Sequence, residues 1–303
     1  MTRPAPGHKR RVRLFALAVL LAGCVVFSRG ASGAFPGKPG WIAFVSGEST
    51  GIWLIDAEGR NRRKLTPRLR EDQRHPAWSP GGRWLMYTAK GLWIARVDGS
   101  GRRRIGRYGS DGAWSPDGRR IVFAGKPTKT ACTDIYSMRL NGSAVRRLIS
   151  TSACETNPSY SPDGKWIVFE AQTPYAQHIV VAPSTGGGRL RVIGTGFSPD
   201  WSPSGAAIAF VSGTTTIRVV DPSGRLLRET DVAGPDNFSV SAVGWSPGGD
   251  QFVFAQLQAT GTVGPRRGGD RIYRANIDGS DRRELTQTGI DNDREPAWQP
   301  AMS

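Results

Sequence analysis

Gly244-Trp245-Ser246-Pro247-Gly248 spells Gly-x-Ser-x-Gly, the pattern that places a serine nucleophile on a sharp strand-to-helix turn. The surroundings argue against that chemistry. Ser79, Ser115, Ser161 and Ser202 each follow an aromatic residue and precede a proline, as Ser246 does. A serine repeated five times in one local setting belongs to a recurring turn. Two of the three histidines, His75 and His178, lie within these repeats, and the third, His8, is near the start of the chain. No Ser/His/Asp arrangement or histidine-rich metal centre emerges, so the sequence predicts neither an enzyme nor a cofactor. A second group of polar residues recurs just ahead of the repeated aromatics: Arg74 and His75, Asp111, Glu155 and Asn157, Asp293 and Glu295. Acids, a histidine and an asparagine brought together can grip a peptide or a cation. Asp291, Asp293 and Glu295 suggest calcium, although their spacing matches no recognised oxygen-ligand loop.

The elements that must position these groups follow from the repeat itself. An aromatic, Ser-Pro, a small turn residue and Gly occur at Trp78–Gly82, Trp114–Gly118, Tyr160–Gly164, Trp201–Gly205 and Trp245–Gly249. A truncated sixth copy, Trp298-Gln299-Pro300, lies near the end, and successive aromatics are 36, 46, 41, 44 and 53 residues apart. A period of roughly 40–45 residues with several short strands per unit is the mark of a beta-propeller. Within the third unit, Gly112–Ser115 reads as strand a, Arg120–Ala124 as b, Asp134–Leu140 as c and Arg146–Ile149 as d. Proline presets the a–b turn and glycine closes it. Asp98-Gly99, Asn141-Gly142 and Asp278-Gly279 are hairpin signals between c and d. Each repeated aromatic ends the innermost strand, where burial between neighbouring units is its expected task.

Blade count comes from the two ends. Gly40–Phe44 matches a strand b without its strand a, and Glu295–Pro300 is a strand a without its continuation. The fragments complete one another. The expected fold is therefore all-β: a six-bladed propeller of four-stranded blades, closed by the carboxy-terminal strand pairing with the first blade, which leaves no exposed sheet edge at the seam.

The chain has 303 residues and a formal charge of +16. Residues 1–34 hold six basic side chains and no acid; the rest keeps 35 basic against 25 acidic, still +10. That first stretch reads as an export leader. A cationic segment precedes the fourteen-residue apolar run Leu14–Phe27, which suits a signal-peptide core better than a bilayer span. Ser32-Gly33-Ala34 offers a cleavage site. Leu21-Ala22-Gly23-Cys24 resembles a lipobox with Cys24 as the lipidated residue, and a retained short anchor is the third outcome. All three put residues 35–303, the propeller, outside the cytoplasm. Beyond the leader only Cys132 and Cys154 remain, an even number suited to an oxidising compartment, either as a pair or as two separate buried thiols.

His75-Pro76-Ala77-Trp78-Ser79-Pro80, Asp270-Arg271-Ile272-Tyr273 and Arg282-Arg283-Glu284-Leu285-Thr286 resemble the TolB-type beta-propeller repeat. The similarity runs over about residues 36–300 and recurs six times. It covers only a propeller, without the α/β domain that precedes it in full TolB proteins. The resemblance implies an exported propeller that binds other molecules, often proteins.

Alternating strand direction puts the d–a and b–c loops on one face and the tight a–b and c–d turns on the other. The long loops all fall on the first face: 67–74, 126–133, 151–157, 231–239, 257–269 and 287–295. Binding residues favour such loops over a rigid scaffold. The same topology sets Cys132, on a b–c loop, beside Cys154 on a d–a loop and predicts a disulfide. Arg and Lys on the outermost strands, as in Arg102-Arg103-Arg104, discourage edge-to-edge aggregation, with attraction to an anionic envelope surface as the second reading. The sequence thus predicts a monomeric, extracytoplasmic, non-enzymatic scaffold for a protein or peptide and no nucleic-acid role. The alternative is a small-ligand or glycan-processing propeller that uses Glu155, Asp293, Glu295 and His75.

Overall fold

The computed structural model describes residues 40–47, 51–67, 71–126, 132–233, 239–257, 270–286 and 293–300. The leader with Cys24, and Asp291, lie outside the described residues. Among the described residues, twenty-four strands form six four-stranded antiparallel sheets. Blade one joins β1 (Ile42–Ser46), β2 (Gly51–Ile55) and β3 (Arg63–Lys64) to β24 (Arg294–Trp298) in the order β24-β1-β2-β3. Blades two to six follow in sequence and begin with β4 (Arg74–Trp78), β8 (Ser110–Trp114), β12 (Cys154–Tyr160), β16 (Phe197–Trp201) and β20 (Ser239–Trp245).

The apolar second strands make the core because blades pack face to face and bury both sides of each inner strand. In β1 all five residues are buried, and Ile42, Ala43 and Phe44 are 0% exposed. Outer strands read differently. In β7 (Arg103–Gly106) Arg103 and Arg104 are exposed and Ile105 is buried.

The repeated aromatics are buried between blades, as expected, at 1–7% exposure. Removing such a ring from water contributes about 1.5–3 kcal/mol. Three also lace blades through the indole: Trp78 Nε1 donates to the carbonyl of Ala297 at 3.0 Å, Trp114 Nε1 to Ala77 at 3.1 Å and Trp245 Nε1 to Asp200 at 3.2 Å.

The seam is as the truncated ends foretell. Ile42 pairs with Trp298 and Ala43 with Ala297. Gln299 stands where the other copies carry serine. Its Oε1 accepts from Trp41 N at 2.9 Å and its Nε2 donates to the Gly82 carbonyl at 2.7 Å, tying the last strand to blades one and two together.

Candidate functional site

The innermost strand of every blade is interrupted near its start. Pairing registers shift between Arg74 and Ala77, Ser110 and Ala113, Thr156 and Ser159, Phe197 and Asp200, and Val240 and Ala242, and β1 shows the same irregularity against β24. A bulge leaves a residue outside the ladder and bends the strand toward the axis. Five blades put a polar residue there in the left-handed region: His75 (φ 53°), Asp111 (50°), Asn157 (47°), Ser198 (54°) and Glu295 (56°). All but Asp111 precede a proline, which lacks an N–H and so fits where the ladder is broken. The strain is of order 1 kcal/mol or more at each position. The sequence places these residues just before strand a, except Glu295, which it already sets within one; all lie inside the strands, because the bulge extends strand a by two or three residues.

The strained residues are bound blade to blade. Glu295 Oε2, in blade one, accepts the His75 backbone N–H of blade two at 2.6 Å. His75 Nδ1 lies 2.8 Å from Asp111 Oδ1, in blade three, and 3.9 Å from Glu295 Oε2. Asp111 accepts the backbone N–H of Asn157 in blade four. Asn157 Nδ2 donates to Glu170 Oε1 at 2.7 Å, and the same oxygen accepts the Ser198 N–H of blade five at 2.6 Å. Ser198 Oγ then accepts the Val243 N–H of blade six at 3.2 Å. In blade six the residue three before the tryptophan is Ala242, which stays paired with Ala255 and has no polar atom to pass the chain on, while the residue left out of the ladder is Ser241, whose Oγ donates to the Ala255 carbonyl at 3.5 Å.

Electrostatics follow from this packing. Burial opposes the His75 imidazolium, but the Asp111 hydrogen bond and charge, with Glu295 beyond, outweigh it and raise its pKa above the ordinary value. Burial likewise opposes ionised Asp111, and the His75 contacts, the Ser110 hydroxyl and the Asn157 N–H hold its carboxyl below the usual range. Asp200 differs. It accepts from Ser159 Oγ at 3.1 Å and Trp245 N at 3.2 Å, with no cation among its contacts, and burial pushes its pKa up to about 6.

These groups line a cavity of about 550 Å³ at the propeller axis, together with Glu170, Gln177, Phe197 and the inner aromatics. Four of the seven expected mouth residues are in its wall: His75, Asp111, Asn157 and Glu295. The other three are elsewhere. Arg74 bonds Asp72 at 3.2 Å. Glu155 is 0% exposed and holds its own loop through the Thr151 N–H, 3.0 Å, and hydroxyl, while Asp293, also 0% exposed, faces Arg62 at 3.5 Å. Both are ties beneath the loops. Among the described residues, no group of three His, Cys, Asp or Glu is placed to hold a metal.

Sequence reasoning missed Glu170, Gln177 and Asp200, yet the first and last are visible in the repeat. Glu170 follows the strand-b aromatic where the other blades have Val45, Thr88, Ala124, Val211 and Ala255. Asp200 precedes the inner tryptophan where others have Ala77, Ala113, Ser159, Gly244 and Ala297. Charge in a slot otherwise small or apolar was the signal. Ser246, by contrast, is a turn staple: Gln251 N donates to its Oγ at 3.0 Å, and the hydroxyl bonds Asp250 at 2.9 Å. Cys132 and Cys154 form the expected disulfide, with Cα atoms 4.6 Å apart, between the b–c loop of blade three and the first strand of blade four.

A family model described as the TolB beta propeller domain matches residues 92–302. The chain belongs to the TolB beta-propeller family. Its relatives include the uncharacterized protein Atu1656 of Agrobacterium fabrum, 28% identical over 159 residues that make 47% of this chain and 53% of that one. The Tol-Pal system protein TolB of Anaeromyxobacter dehalogenans (strain 2CP-1) is 31% identical over 120 residues, 36% of this chain and 27% of the TolB. The chain thus spans about half and about a quarter of these proteins' own lengths. Among solved structures, TolB from Acinetobacter baumannii superposes with a TM-score of 0.67 at 24% identity, covering 86% of this chain and 67% of that one. A putative TolB from Agrobacterium tumefaciens gives 0.64 at 19% identity, covering 86% and 98%. At these identities the structural likeness speaks for the TolB propeller fold.

Proposed function

We propose that this protein is an extracytoplasmic, non-enzymatic scaffold that recognises a protein partner through the face bearing the d–a and b–c loops, with the axial cavity receiving a loop of that partner. The observation that carries the reading is the convergence of Asp111, Glu170, Glu295 and Asp200 around one 550 Å³ cavity in an otherwise basic protein. Field lines focus in such a cleft, and a partner's Lys or Arg entering it would meet several carboxylates at once. Kinship with Tol-Pal system proteins supports a binding role, and the disulfide supports an oxidising compartment.

The test compares two faces. A photo-crosslinking residue at Phe197, in the cavity wall, should capture a protein from the native envelope, and the same residue at Asp117, on an a–b turn of the opposite face, should not. Equal capture from both positions, or none from Phe197, defeats the proposal. Turnover of cell-wall or plant-type oligosaccharides by the purified protein would favour the glycan-processing alternative instead.

A further inference from the structure

Three blades close their outer flank with the same wedge. The residue just before strand d is an arginine that lies over the aromatic ring of strand c: Arg62 over Trp53 at 4.9 Å, Arg102 over Trp93 at 4.9 Å and Arg282 over Tyr273 at 4.1 Å. Two of these guanidiniums are also anchored to a side chain two residues beyond the strand-b aromatic. Arg62 Nη2 donates to Ser46 Oγ at 3.2 Å, and Arg282 Nη2 to Gln256 Oε1 at 2.6 Å.

Blade three keeps the aromatic pair and lacks both other parts. Tyr136 takes the place of Tyr273 and stacks on Phe123 at 5.8 Å, as Tyr273 stacks on Phe254 at 5.7 Å. The wedge position holds Val145 and the anchor position holds Gly125. Where the guanidinium would sit, a groove of about 640 Å³ opens between β7 of blade two and blade three. Phe123 and Tyr136 form its floor and remain 5% and 8% exposed. Its lips are Tyr108, 69% exposed, and Val145, 59% exposed, so the accessible apolar surface is there. A methyl at Gly125 would lie 3.0–3.1 Å from both floor rings, and this glycine keeps the inner end of the groove clear.

The surrounding charge is of one sign. Arg104 and Arg107, both exposed, and Lys126 line the groove, and the nearby Asp134 carboxylate already faces Arg147 at 3.4 Å. Arg104 is fixed in position, donating to the carbonyls of Lys90, Gly106 and Arg107 at 2.6–3.1 Å. An apolar slot inside a fixed cationic rim is complementary to an aromatic or large aliphatic side chain flanked by carboxylates. Two apolar lips are too small a patch to insert into a bilayer, which favours a polypeptide over a lipid surface.

We propose that this groove is a second recognition site, separate from the axial cavity, for an acidic segment of a partner protein that inserts one aromatic or large aliphatic side chain between Tyr108 and Val145. The probes are a fluorescent Asp-Glu-Trp-Asp-Glu peptide, the same peptide with Ala for Trp, and phosphatidylglycerol vesicles, titrated onto the protein and read by anisotropy and, for vesicles, by co-sedimentation. The Trp peptide should bind about tenfold tighter than the Ala peptide. Val145→Arg rebuilds the wedge of the other blades and should weaken Trp-peptide binding by about the same factor, although it adds a positive charge. Tyr108→Ala alters an exposed lip, leaves the charge unchanged and should act in the same direction. The proposal is overturned by equal binding of the two peptides, by no peptide binding, by undiminished binding to the V145R protein, or by binding to vesicles alone.

Discussion

The inner and outer rims of the propeller handle charge in opposite ways. Inside, Glu295, Asp111 and His75 sit on strained bulges and Glu170 on a regular second strand, and each carboxylate accepts from a neighbouring blade: Glu295 from His75, Asp111 from Asn157, Glu170 from Ser198. Outside, arginines lie over the aromatic rings of their own blade's third strand. The inner pattern couples polar groups across blades, whereas the outer one adds packing; both include left-handed residues, the outer one at Asn61 and Asp281 just before Arg62 and Arg282. The inner pattern gives way at Ala242 in blade six; the outer wedge belongs to three blades, and in blade three, which keeps the aromatic pair, its place is taken by Val145. The failures differ in kind. Ala242 breaks a hydrogen-bonded chain while leaving the cavity wall continuous, whereas Val145 opens a new groove.

Both rims depend on the seam, so its removal should have the largest effect. Truncation before Arg294 takes away the strand that pairs with Ile42 and Ala43, together with Trp298, Gln299 and Glu295. It exposes the edge of a fully buried strand and should abolish the cooperative thermal transition, as read by calorimetry. The next largest effect separates the rims. Glu170 takes hydrogen bonds from Asn157 Nδ2, the Ser198 N–H, Thr156 Oγ1 and Gln177 Nε2 at 2.5–3.1 Å. Glu170→Ala leaves those half-buried donors without their acceptor and should cost about 2–3 kcal/mol in denaturant unfolding. A loss below about 1 kcal/mol would show that the inner network is incidental to stability.

Why the outline was legible and the site only partly so follows from the same contrast. Turn chemistry is local: Trp78-Ser79-Pro80-Gly81-Gly82 and its copies specify a hairpin from adjacent residues, and the fragments at Gly40 and Glu295 declare their need of each other. Cys132 and Cys154 also follow from topology alone. The inner network is not local. The place of His75 depends on a bulge whose signal, a polar residue before Pro76, resembles an ordinary loop end. Glu155 and Asp293 have the right residue type, two positions before the bulge residue, and that small offset sends them beneath the loops. Glu170 and Asp200 were readable only by aligning the blades against one another and asking which slot had changed character. The same comparison reveals Val145 and Gly125.

The inner rim also makes a pH-dependent prediction. Asp200 holds its proton up to about pH 6 in the folded protein, against about 4 for an unfolded aspartate. A raised carboxyl pKa means that the folded state binds the proton more tightly, so this group's contribution is lost as pH rises through 4 to 6. Asp200→Asn removes that dependence. The stability of the variant relative to the native protein should therefore increase between pH 4 and pH 7, by up to about 3 kcal/mol. His75, with its raised pKa, runs the same way at higher pH: its pairing with Asp111 stabilises below about pH 6.5 and is lost as pH rises above its folded value. Denaturant titrations at four or five pH values would separate the two windows. A constant offset between Asp200→Asn and native protein would refute the buried-acid assignment.

The smallest effect sharpens the outer half of the comparison. Arg282→Val copies blade three's wedge position into blade six, removing a ring contact at 4.1 Å and a hydrogen bond to Gln256 Oε1 at 2.6 Å. Together these are worth about 1–2 kcal/mol. Gln256 stays buried and keeps its Nε2 bond to the Ala233 carbonyl at 2.8 Å. Adding Gln256→Gly deletes the Gln256 side-chain packing and that Nε2 bond. If wedge and anchor act as one unit, the double variant should lose less than the sum of the two single losses, and denaturant unfolding of all three proteins measures the difference. Strict additivity would mean that Val145 and Gly125 are two unrelated substitutions in blade three, and that its groove is a by-product of each rather than a joint replacement of the wedge.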